Sequence, residues 1–285
     1  MNMRLAIIGV GLMGGSFALA LKRAGKVATV VGCGRSRANL EWALSHGVID
    51  VIADHPAQAV QGADVVMLAV PAGQVDDVLG DIAAHLPAQA VLTDAASTKQ
   101  NVVAAARARL GARMPRFVPG HPIAGTEHSG AAAARADLYD GRRVILTPLA
   151  ETETAALQEV RALWQACGAQ VAEMEPAGHD TVFAAVSHLP HMLSYAYMDM
   201  IAARADRALC LDYAASSFRD FTRIAASSAE MWRDIALANR DVLLAEIGRF
   251  EGHWQALRKA LEAGDGAALE AIFTRARNTR KDWSQ

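Results

Sequence analysis

A glycine-rich turn near the start of the chain constrains the fold more than any other feature of the sequence. The apolar run LAII at residues 5–8 leads directly into GVGLMG at residues 9–14, and a helical pattern follows to about Arg23. In such a strand–turn–helix unit, the first glycine allows the tight turn, the second lets the backbone approach a pyrophosphate, and the third allows close packing. The motif predicts a dinucleotide site at the helix N-terminus, and a glycine turn without a ligand is the alternative. We expect the site to include Gly9, Gly11, Leu12, Met13 and Gly14.

Further apolar runs alternate with helical patterns through the first half of the chain. We predict strands near residues 28–31, 64–70, 91–93, 117–118 and 144–147. Short apolar strands separated by helices imply a parallel sheet that is covered on both faces. From Pro176 onwards the spacing is helical throughout. We therefore expect an α/β Rossmann-type dinucleotide-binding domain over residues 1–174 and an all-helical domain over residues 175–285.

Composition narrows the class of protein. The 285 residues carry 28 basic and 30 acidic side chains, which argues against a nucleic-acid-binding surface and favours a small polar substrate. Cys33, Cys167 and Cys210 are far apart, so neither a disulfide framework nor a cysteine-rich zinc site is expected. The uncharged stretch Leu5–Leu21 contains four glycines, which indicates a turn rather than a membrane span. We expect a cytoplasmic protein without nucleic-acid or membrane partners.

The end of the second predicted strand indicates which dinucleotide binds. Enzymes that use NAD usually place Asp or Glu there, to hold the ribose 2′-hydroxyl. Here the segment contains Gly34, Arg35 and Ser36, and the arginine and the hydroxyl suit a 2′-phosphate. We therefore expect NADP to be preferred, with NAD possible, although a surface arginine is more often simply solvated. We add Val70 and Pro71, at the end of the third strand, to the cofactor site.

A histidine-containing segment follows a later strand, in the sequence GHPIAGTEHSG at residues 120–130. Ligands of doubly wound sheets lie at the carboxyl ends of the strands, so His121 is expected at the cofactor crevice. Imidazole is suited to take a hydroxyl proton while hydride leaves the same carbon. Ser97, in the segment DAASTK, is placed to lie beside that imidazole. A solvated or structural histidine is the equally weighted alternative.

Two segments of the helical half carry further candidate residues. His188 and His191 are three residues apart and share a helix face, with Pro190 marking a kink or an early turn. A third metal ligand at a recognisable spacing is lacking, so we do not expect a metal site. Arg223 and Trp232 lie in a segment where arginines alternate with aromatic residues. Such a segment suits bidentate capture of a carboxylate, and an ordinary amphipathic helix is the alternative.

Taken together, these segments resemble the prephenate/arogenate (cyclohexadienyl) dehydrogenases of tyrosine biosynthesis. The resemblance covers nearly the whole chain, through the segments GVGLMGGS, DAASTK, GHPIAGTEHSG, SHLPH and FRDFTRIAASSAEMW. It implies oxidative decarboxylation of prephenate to 4-hydroxyphenylpyruvate, or of arogenate to tyrosine, with reduction of NAD or NADP. It also implies a homodimer formed through the helical domain.

The resemblance also implies roles for individual residues. His121 matches the catalytic histidine that interacts with the ring hydroxyl of the substrate, and Ser97 matches the serine that positions it. Arg223 matches the arginine that holds the ring carboxylate. Further residues that we expect at the substrate site are Thr126, Glu127, His188, His191 and Trp232. The family often has Asp where Gly34 stands, which is a departure that bears on the choice of cofactor.

Two other classes of function are compatible with parts of the sequence. The segment GLMG also resembles β-hydroxyacid dehydrogenases, but that class uses a catalytic lysine in its helical domain, and residues 176–258 contain no lysine. A non-enzymatic NADP-binding sensor would leave His121 and Arg223 without a role. Prephenate and arogenate remain equal alternatives, because both carry the ring carboxylate and the hydroxyl.

Overall fold

The computed structural model describes residues 3–126 and 128–283, and the chain forms two compact units, Met1–Asn239 and Arg240–Gln285. The strands of the described chain are β1 (Arg4–Ile8), β2 (Thr29–Cys33), β3 (Val51–Ile52), β4 (Val65–Leu68), β5 (Val91–Asp94), β6 (Phe117–Val118), β7 (Gly120–Pro122), β8 (Arg143–Leu146) and β9 (Gln170–Glu173). The α-helices of the first unit are α1 (Leu12–Arg23), α2 (Arg37–Ser45), α3 (Pro56–Ala59), α4 (Val75–Ile82), α5 (Gln100–Arg109), α6 (Thr154–Ala166), α7 (Pro176–Phe183), α8 (Leu189–Ala202), α9 (Arg207–Asp212), α10 (Ser216–Thr222) and α11 (Ala229–Ala238). Those of the second unit are α12 (Arg240–Glu262) and α13 (Gly266–Asp282).

The main sheet has six parallel strands in the order β3-β2-β1-β4-β5-β6. Its side chains are buried on both faces, because Leu5 and Ile7 of β1 belong to one apolar cluster and Ala6 and Ile8 to the other. Helices α1 and α6 cover the first face, and α4 and α5 cover the second. The strand order reverses between β1 and β4, and ligands of such sheets bind beside that point, at the carboxyl ends of the strands. The predicted doubly wound domain is confirmed.

One part of the strand prediction is wrong. The apolar run near residues 144–147 forms β8, which belongs to a separate sheet with the order β7-β8-β9 rather than to the parallel sheet. Strand β8 is antiparallel to β7 and parallel to β9, and it pairs Ile145 with His121. His121 therefore lies in a short strand. The sequence did not indicate β7, which contains a glycine and a proline, or β9, most of which is exposed.

The described residues after Pro176 are helical, as predicted. Pro176 opens α7, and a π-helical turn at Ala184–His188 joins α7 to α8, where Pro190 lies in the first turn. A 3-10 turn at Arg223–Ala226 follows α10. In the second unit, the Asp265 side chain caps α13 by accepting a hydrogen bond from Ala268 N, at 2.9 Å. None of the helices in the described ranges is long and apolar enough to cross a membrane. The domain boundary near residue 174 stays a prediction.

Candidate active site

The glycine turn lies where β1, β2 and β4 end side by side. Gly9 N donates to the carbonyl of Cys33, at 2.8 Å, and thereby joins the turn to the end of β2. The φ angle of Gly9 is +100°, and an added Cβ would lie 2.3 Å from the carbonyl oxygen of Ala69 and 3.2 Å from Val70 Cγ1. A side chain at this position would therefore require both a strained backbone and displacement of the segment after β4. Val70 therefore lies beside the turn, and its part in the cofactor site stays a prediction.

The other two glycines have different surroundings, and both fit a dinucleotide. An added Cβ at Gly14 would lie 2.4 Å from Gly9 O, so close packing of helix on turn excludes one. At Gly11, the N-cap of α1, an added Cβ would meet no atom within 4 Å. The first turn of that helix has neither a side-chain cap nor an acidic residue. The N-terminus of α1 is therefore accessible to phosphate groups, which its N–H groups and dipole favour. Leu12 is largely buried, with 9% of its surface exposed.

The end of β2 presents the residues that were assigned to the 2′-phosphate. Arg35 is exposed, and its Nη1 lies 3.5 Å from Glu230 Oε1 in α11. Ser36 caps α2, its Oγ accepting a hydrogen bond from Asn39 N at 3.3 Å. An added Cβ at Gly34 would find its nearest neighbour, Leu40 Cδ2, at 3.7 Å, which is an ordinary van der Waals contact. The backbone at Gly34 therefore accepts a residue with a side chain without a clash at Cβ.

A buried ion pair joins the end of β5 to the strand that carries His121. The Lys99 ammonium pairs with Asp94 Oδ2 and donates to the carbonyl of Gly120 at 2.6 Å. Gly120 N donates in turn to Asp94 Oδ1 at 3.0 Å. Both charged side chains are fully buried. Burial lowers the pKa of Lys99, whereas the charge and hydrogen bond of Asp94 raise it. The pair fixes the backbone directly before His121.

The ring of His121 belongs to a chain of three hydrogen-bonded side chains. His121 Nδ1 lies 2.8 Å from His179 Nε2, and His179 Nδ1 lies 2.8 Å from Asp180 Oδ1. Part of His121 reaches solvent, but its ring packs against His179 and Phe183, and this burial holds its pKa well below the ordinary value of 6.5. The nearby His179, Lys99 and His188 lower that pKa further. The imidazole of His121 is therefore neutral at physiological pH, which is the form that accepts a proton.

The π-helical turn brings a third histidine, His188, into the same region. His188 is 1% exposed, and its Nδ1 lies 3.2 Å from the amide nitrogen of Asn239, which also donates to the carbonyl of Asp180. Because an amide nitrogen donates, His188 Nδ1 accepts and its Nε2 carries the proton. This Nε2 is buried without a hydrogen-bond partner in the described structure. Burial lowers the pKa of His188 to about 4. π-Helical turns are rare and often occur at functional sites.

His191 and Trp232 form one surface of this region. Their rings are stacked, with centroids 3.6 Å apart, and His191 Nδ1 lies 2.9 Å from the carbonyl of Ser187. A carbonyl only accepts, so His191 Nδ1 donates and its Nε2 can accept a hydrogen bond from a ligand. Burial lowers the pKa of His191, and the positive charge of Arg223 lowers it further. Arg223, although exposed, is therefore electrostatically coupled to His191.

The structure brings several of the predicted residues close together, but for others it shows no contact with His121 or its partners among the described residues. Ser97 is half-buried in the segment after β5, and its place beside His121 stays a prediction, since the ring contacts of His121 are with His179 and Phe183. Thr126 is exposed, and its Oγ1 accepts a hydrogen bond from His128 N at 3.2 Å. Glu127 lies outside the described residues.

Sequence reasoning did not identify five residues that support this site. They are Asp94, Lys99, His179, Asp180 and Asn239. The adjacent pair His179–Asp180, just after the proline that opens the helical region, was a usable signal because an ionisable dipeptide at a helix start is placed to contact a neighbouring element. Nothing in the sequence around Lys99 indicated that its ammonium is buried.

Two family models match consecutive parts of the chain. A family model described as prephenate dehydrogenase, nucleotide-binding domain, matches residues 17–173, and one described as prephenate dehydrogenase, dimerization domain, matches residues 175–275. The cyclohexadienyl dehydrogenase of Zymomonas mobilis is 34% identical over 278 residues, which is 97% of this chain and 94% of that protein.

Solved structures are similar over the whole chain. Prephenate dehydrogenase from A. aeolicus, in complex with hydroxyphenyl propionate and NAD+, is 33% identical with a TM-score of 0.92, covering 100% of this chain and 99% of that one. Synechocystis arogenate dehydrogenase is 27% identical with a TM-score of 0.82, covering 99% of this chain and 100% of that one.

Proposed function

Because the chain belongs to the prephenate dehydrogenase family, we propose that it catalyses the oxidative decarboxylation of prephenate, of arogenate, or of both, with NAD or NADP as hydride acceptor. The single observation that carries this proposal is His121. It is a neutral, hydrogen-bonded imidazole in a strand that the buried Asp94–Lys99 pair ties to the end of β5. A base at that position suits removal of a proton from a substrate hydroxyl.

The proposed reaction consists of a proton transfer to His121, a hydride transfer, loss of carbon dioxide and return of the proton. His121 Nε2 takes the proton of the ring hydroxyl while the C–H bond at the same carbon breaks. The nicotinamide, when bound, accepts the hydride. The C–C bond to the ring carboxylate then breaks, carbon dioxide leaves, and its electron pair makes the ring aromatic. His121 returns the proton to the phenolic oxygen, so that the enzyme ends in its starting protonation state.

We assign the remaining roles around this base. Ser97 is proposed to orient the ring hydroxyl, and Arg223 to bind the ring carboxylate through its guanidinium. The stacked pair His191–Trp232 and the buried donor His188 Nε2 offer one apolar surface and two polar atoms to the remainder of the substrate. The other residues proposed at the substrate site are Thr126 and Glu127.

Replacing His121 by asparagine tests this proposal. The variant keeps some hydrogen bonding but has no base, so kcat/KM is expected to fall by roughly 10²–10⁴-fold. The exposed His85 provides the matched control, and His85→Asn should leave kcat/KM unchanged. The assay follows formation of the reduced cofactor with prephenate and, separately, with arogenate. A folded His121→Asn enzyme with normal turnover would remove His121 from the reaction, and no turnover by the wild-type chain with either substrate would favour a cofactor-binding sensor.

We propose further that NADP is the preferred cofactor. The residues that would hold the shared parts of either dinucleotide are Gly9, Gly11, Gly14, Val70 and Pro71. The preference for NADP is supported by the exposed guanidinium of Arg35, by Ser36, and by the lack of a carboxylate at Gly34. Kinetics with both cofactors test it, and Gly34→Asp should shift the preference toward NAD. A higher kcat/KM with NAD for the unmodified enzyme would contradict this reading of the loop.

We also propose that the active form is a homodimer. The match to a dimerization domain over residues 175–275 supports this, as do large apolar side chains that the single chain leaves exposed there. Tyr213 is 79% exposed and Leu209 is 59% exposed. Such exposure favours burial in a symmetric interface. Light scattering at micromolar concentration should give about twice the chain mass of 30.2 kDa, and a monomeric mass would refute the proposal.

A further inference from the structure

We propose that His179 and Asp180 are positioning residues that hold His121 in the one tautomer able to act as a base toward the substrate. The inference rests on the proposed role of His121 as that base. It assigns a function to the hydrogen-bonded series Asp180–His179–His121, in which the outer two residues lie on different elements, β7 and α7.

The tautomers follow from the charge at one end of the series. The side chain of Asp180, which belongs to α7, lies at the N-terminus of α5. Its two carboxylate oxygens accept hydrogen bonds there from Lys99 N at 2.8 Å and from Gln100 N at 2.9 Å. Burial raises the pKa of Asp180, but the hydrogen bonds from His179, Gln100 and Lys99 outweigh it and lower that pKa overall. Asp180 is therefore ionised and can only accept hydrogen bonds.

Each following hydrogen bond has its direction set by the one before it. Because Asp180 accepts, His179 Nδ1 must carry a proton, and the neutral His179 ring then has its lone pair on Nε2. This Nε2 accepts from His121 Nδ1, which must also be protonated. The lone pair of His121 is thereby fixed on Nε2, the atom that takes the substrate proton. The opposite tautomer would place a proton on that atom and block catalysis.

Packing restricts the two rings as well as their protons. Phe183 contacts both, with ring centroids 4.9 Å from His121 and 4.5 Å from His179. His179 and Asp180 are fully buried, so water does not compete for these hydrogen bonds. The other ionisable groups that act on His121 are Lys99 and His188, and Asp94 acts on His179.

The same series serves the protonated intermediate state of His121. When Nε2 has taken the hydroxyl proton, Nδ1–H of the resulting imidazolium still donates to His179, and the Asp180 carboxylate lies at the far side of that ring. No proton needs to leave His121 before it is returned to the product. A carboxylate that orients and stabilises a histidine in this way acts without itself being protonated.

Three substitutions separate this role from a purely structural one. His179→Leu removes the acceptor for His121 Nδ1, whereas His179→Gln retains an acceptor oxygen at a similar distance. Asp180→Asn supplies an N–H at the end of the series and so favours the inverted tautomers. The matched control is Thr181→Val, which removes a hydrogen bond to Ala177 O on the same helix without touching the series.

The measurements are steady-state kinetics and ¹⁵N NMR of histidine-labelled full-length enzyme. We expect kcat to fall on the order of 10²-fold or more for His179→Leu and Asp180→Asn, with KM changed little, while His179→Gln recovers much of the loss and Thr181→Val behaves as wild type. The ¹⁵N shifts should show His121 protonated on Nδ1 in the wild type and inverted in Asp180→Asn. Circular dichroism confirms that each variant is folded.

The possible failures are distinct. The positioning role is overturned, and the proposed function stands, if folded His179→Leu turns over normally while His121→Asn is inactive. The same holds if Leu and Gln at position 179 lower kcat equally and the His121 tautomer is unchanged. If His121→Asn is itself active, the proposed function fails first. If Asp180→Asn does not fold because α5 loses its cap, the two His179 variants still decide the question.

Discussion

Replacing the buried Lys99 by methionine tests whether the Asp94–Lys99 pair holds the active-site strand in place. Methionine has a similar length but no charge, so Asp94 would be left buried without its counter-charge, and Gly120 O would lose the Lys99 donor. The Asp94 carboxylate would keep its hydrogen bonds from Ala96 N, at 2.9 Å, and Gly120 N, at 3.0 Å. The variant therefore removes the charge pairing without removing the backbone hydrogen bonds.

The size of the effect follows from the burial of both groups. Removing one partner of a buried ion pair typically costs about 3–5 kcal/mol, because an uncompensated charge remains. Natural domains are stable by about 5–15 kcal/mol, so this loss is a large fraction of the total. For a unit of this size, each kcal/mol lowers Tm by roughly 2–4 °C, so a decrease of roughly 6–20 °C is expected. Turnover should fall as well, because Gly120 directly precedes His121.

Thermal and urea unfolding measure the stability, with the exposed Lys26 as the matched control. Lys26→Met removes the same charge from the surface and should change stability by no more than about 0.5 kcal/mol. The double variant Asp94→Asn/Lys99→Met leaves no unpaired charge and should be less destabilised than the sum of the two single variants. A loss below about 1 kcal/mol for Lys99→Met, or strictly additive single effects, would refute this account of the pair.

Three further predictions address the cofactor turn, the response to acid and substrate capture. Gly9→Ala should destabilise the fold, because its Cβ would lie 2.3 Å from Ala69 O. Gly11→Ala should fold normally and raise KM for the cofactor, since a Cβ there meets no neighbouring atom. Equal behaviour of the two variants in unfolding and kinetic assays would contradict this distinction. The folded state binds fewer protons at His188, whose pKa is about 4 against 6.5 for an ordinary histidine, so stability is full above pH 6.5 and is lost as the pH falls toward 4. At pH 5 this group alone should lower the free energy of unfolding by about 2 kcal/mol relative to pH 7, and urea titrations that show no such decrease would argue against a neutral, buried His188. Arg223→Ala should raise KM for the substrate more than it lowers kcat and leave cofactor affinity unchanged, and a normal KM would exclude Arg223 from the carboxylate site.

Local chemistry determined the parts of the fold that could be predicted from the sequence. The tight turn at Gly9 needs a positive φ, and apolar runs of strand length need to be buried on both faces, so the turn and the first parallel strands follow from short segments. Helical spacing after Pro176 is equally local. The matches to the nucleotide-binding and dimerization models confirm the family to which these segments pointed. The preference for NADP and the cytoplasmic location stay predictions.

Tertiary structure decided what surrounds the predicted base. His121 and His179 are separated by 58 residues. They meet because β7 packs against β5 while α7 packs against α5, the helix that follows β5. The burial of Lys99 beside Asp94, and the assignment of His121 to a second sheet, depend in the same way on packing between distant segments. A residue type shows that imidazole can act as a base. The tautomer and the pKa of that imidazole are set by its partners and by loss of solvent, and these arise only when the chain is folded.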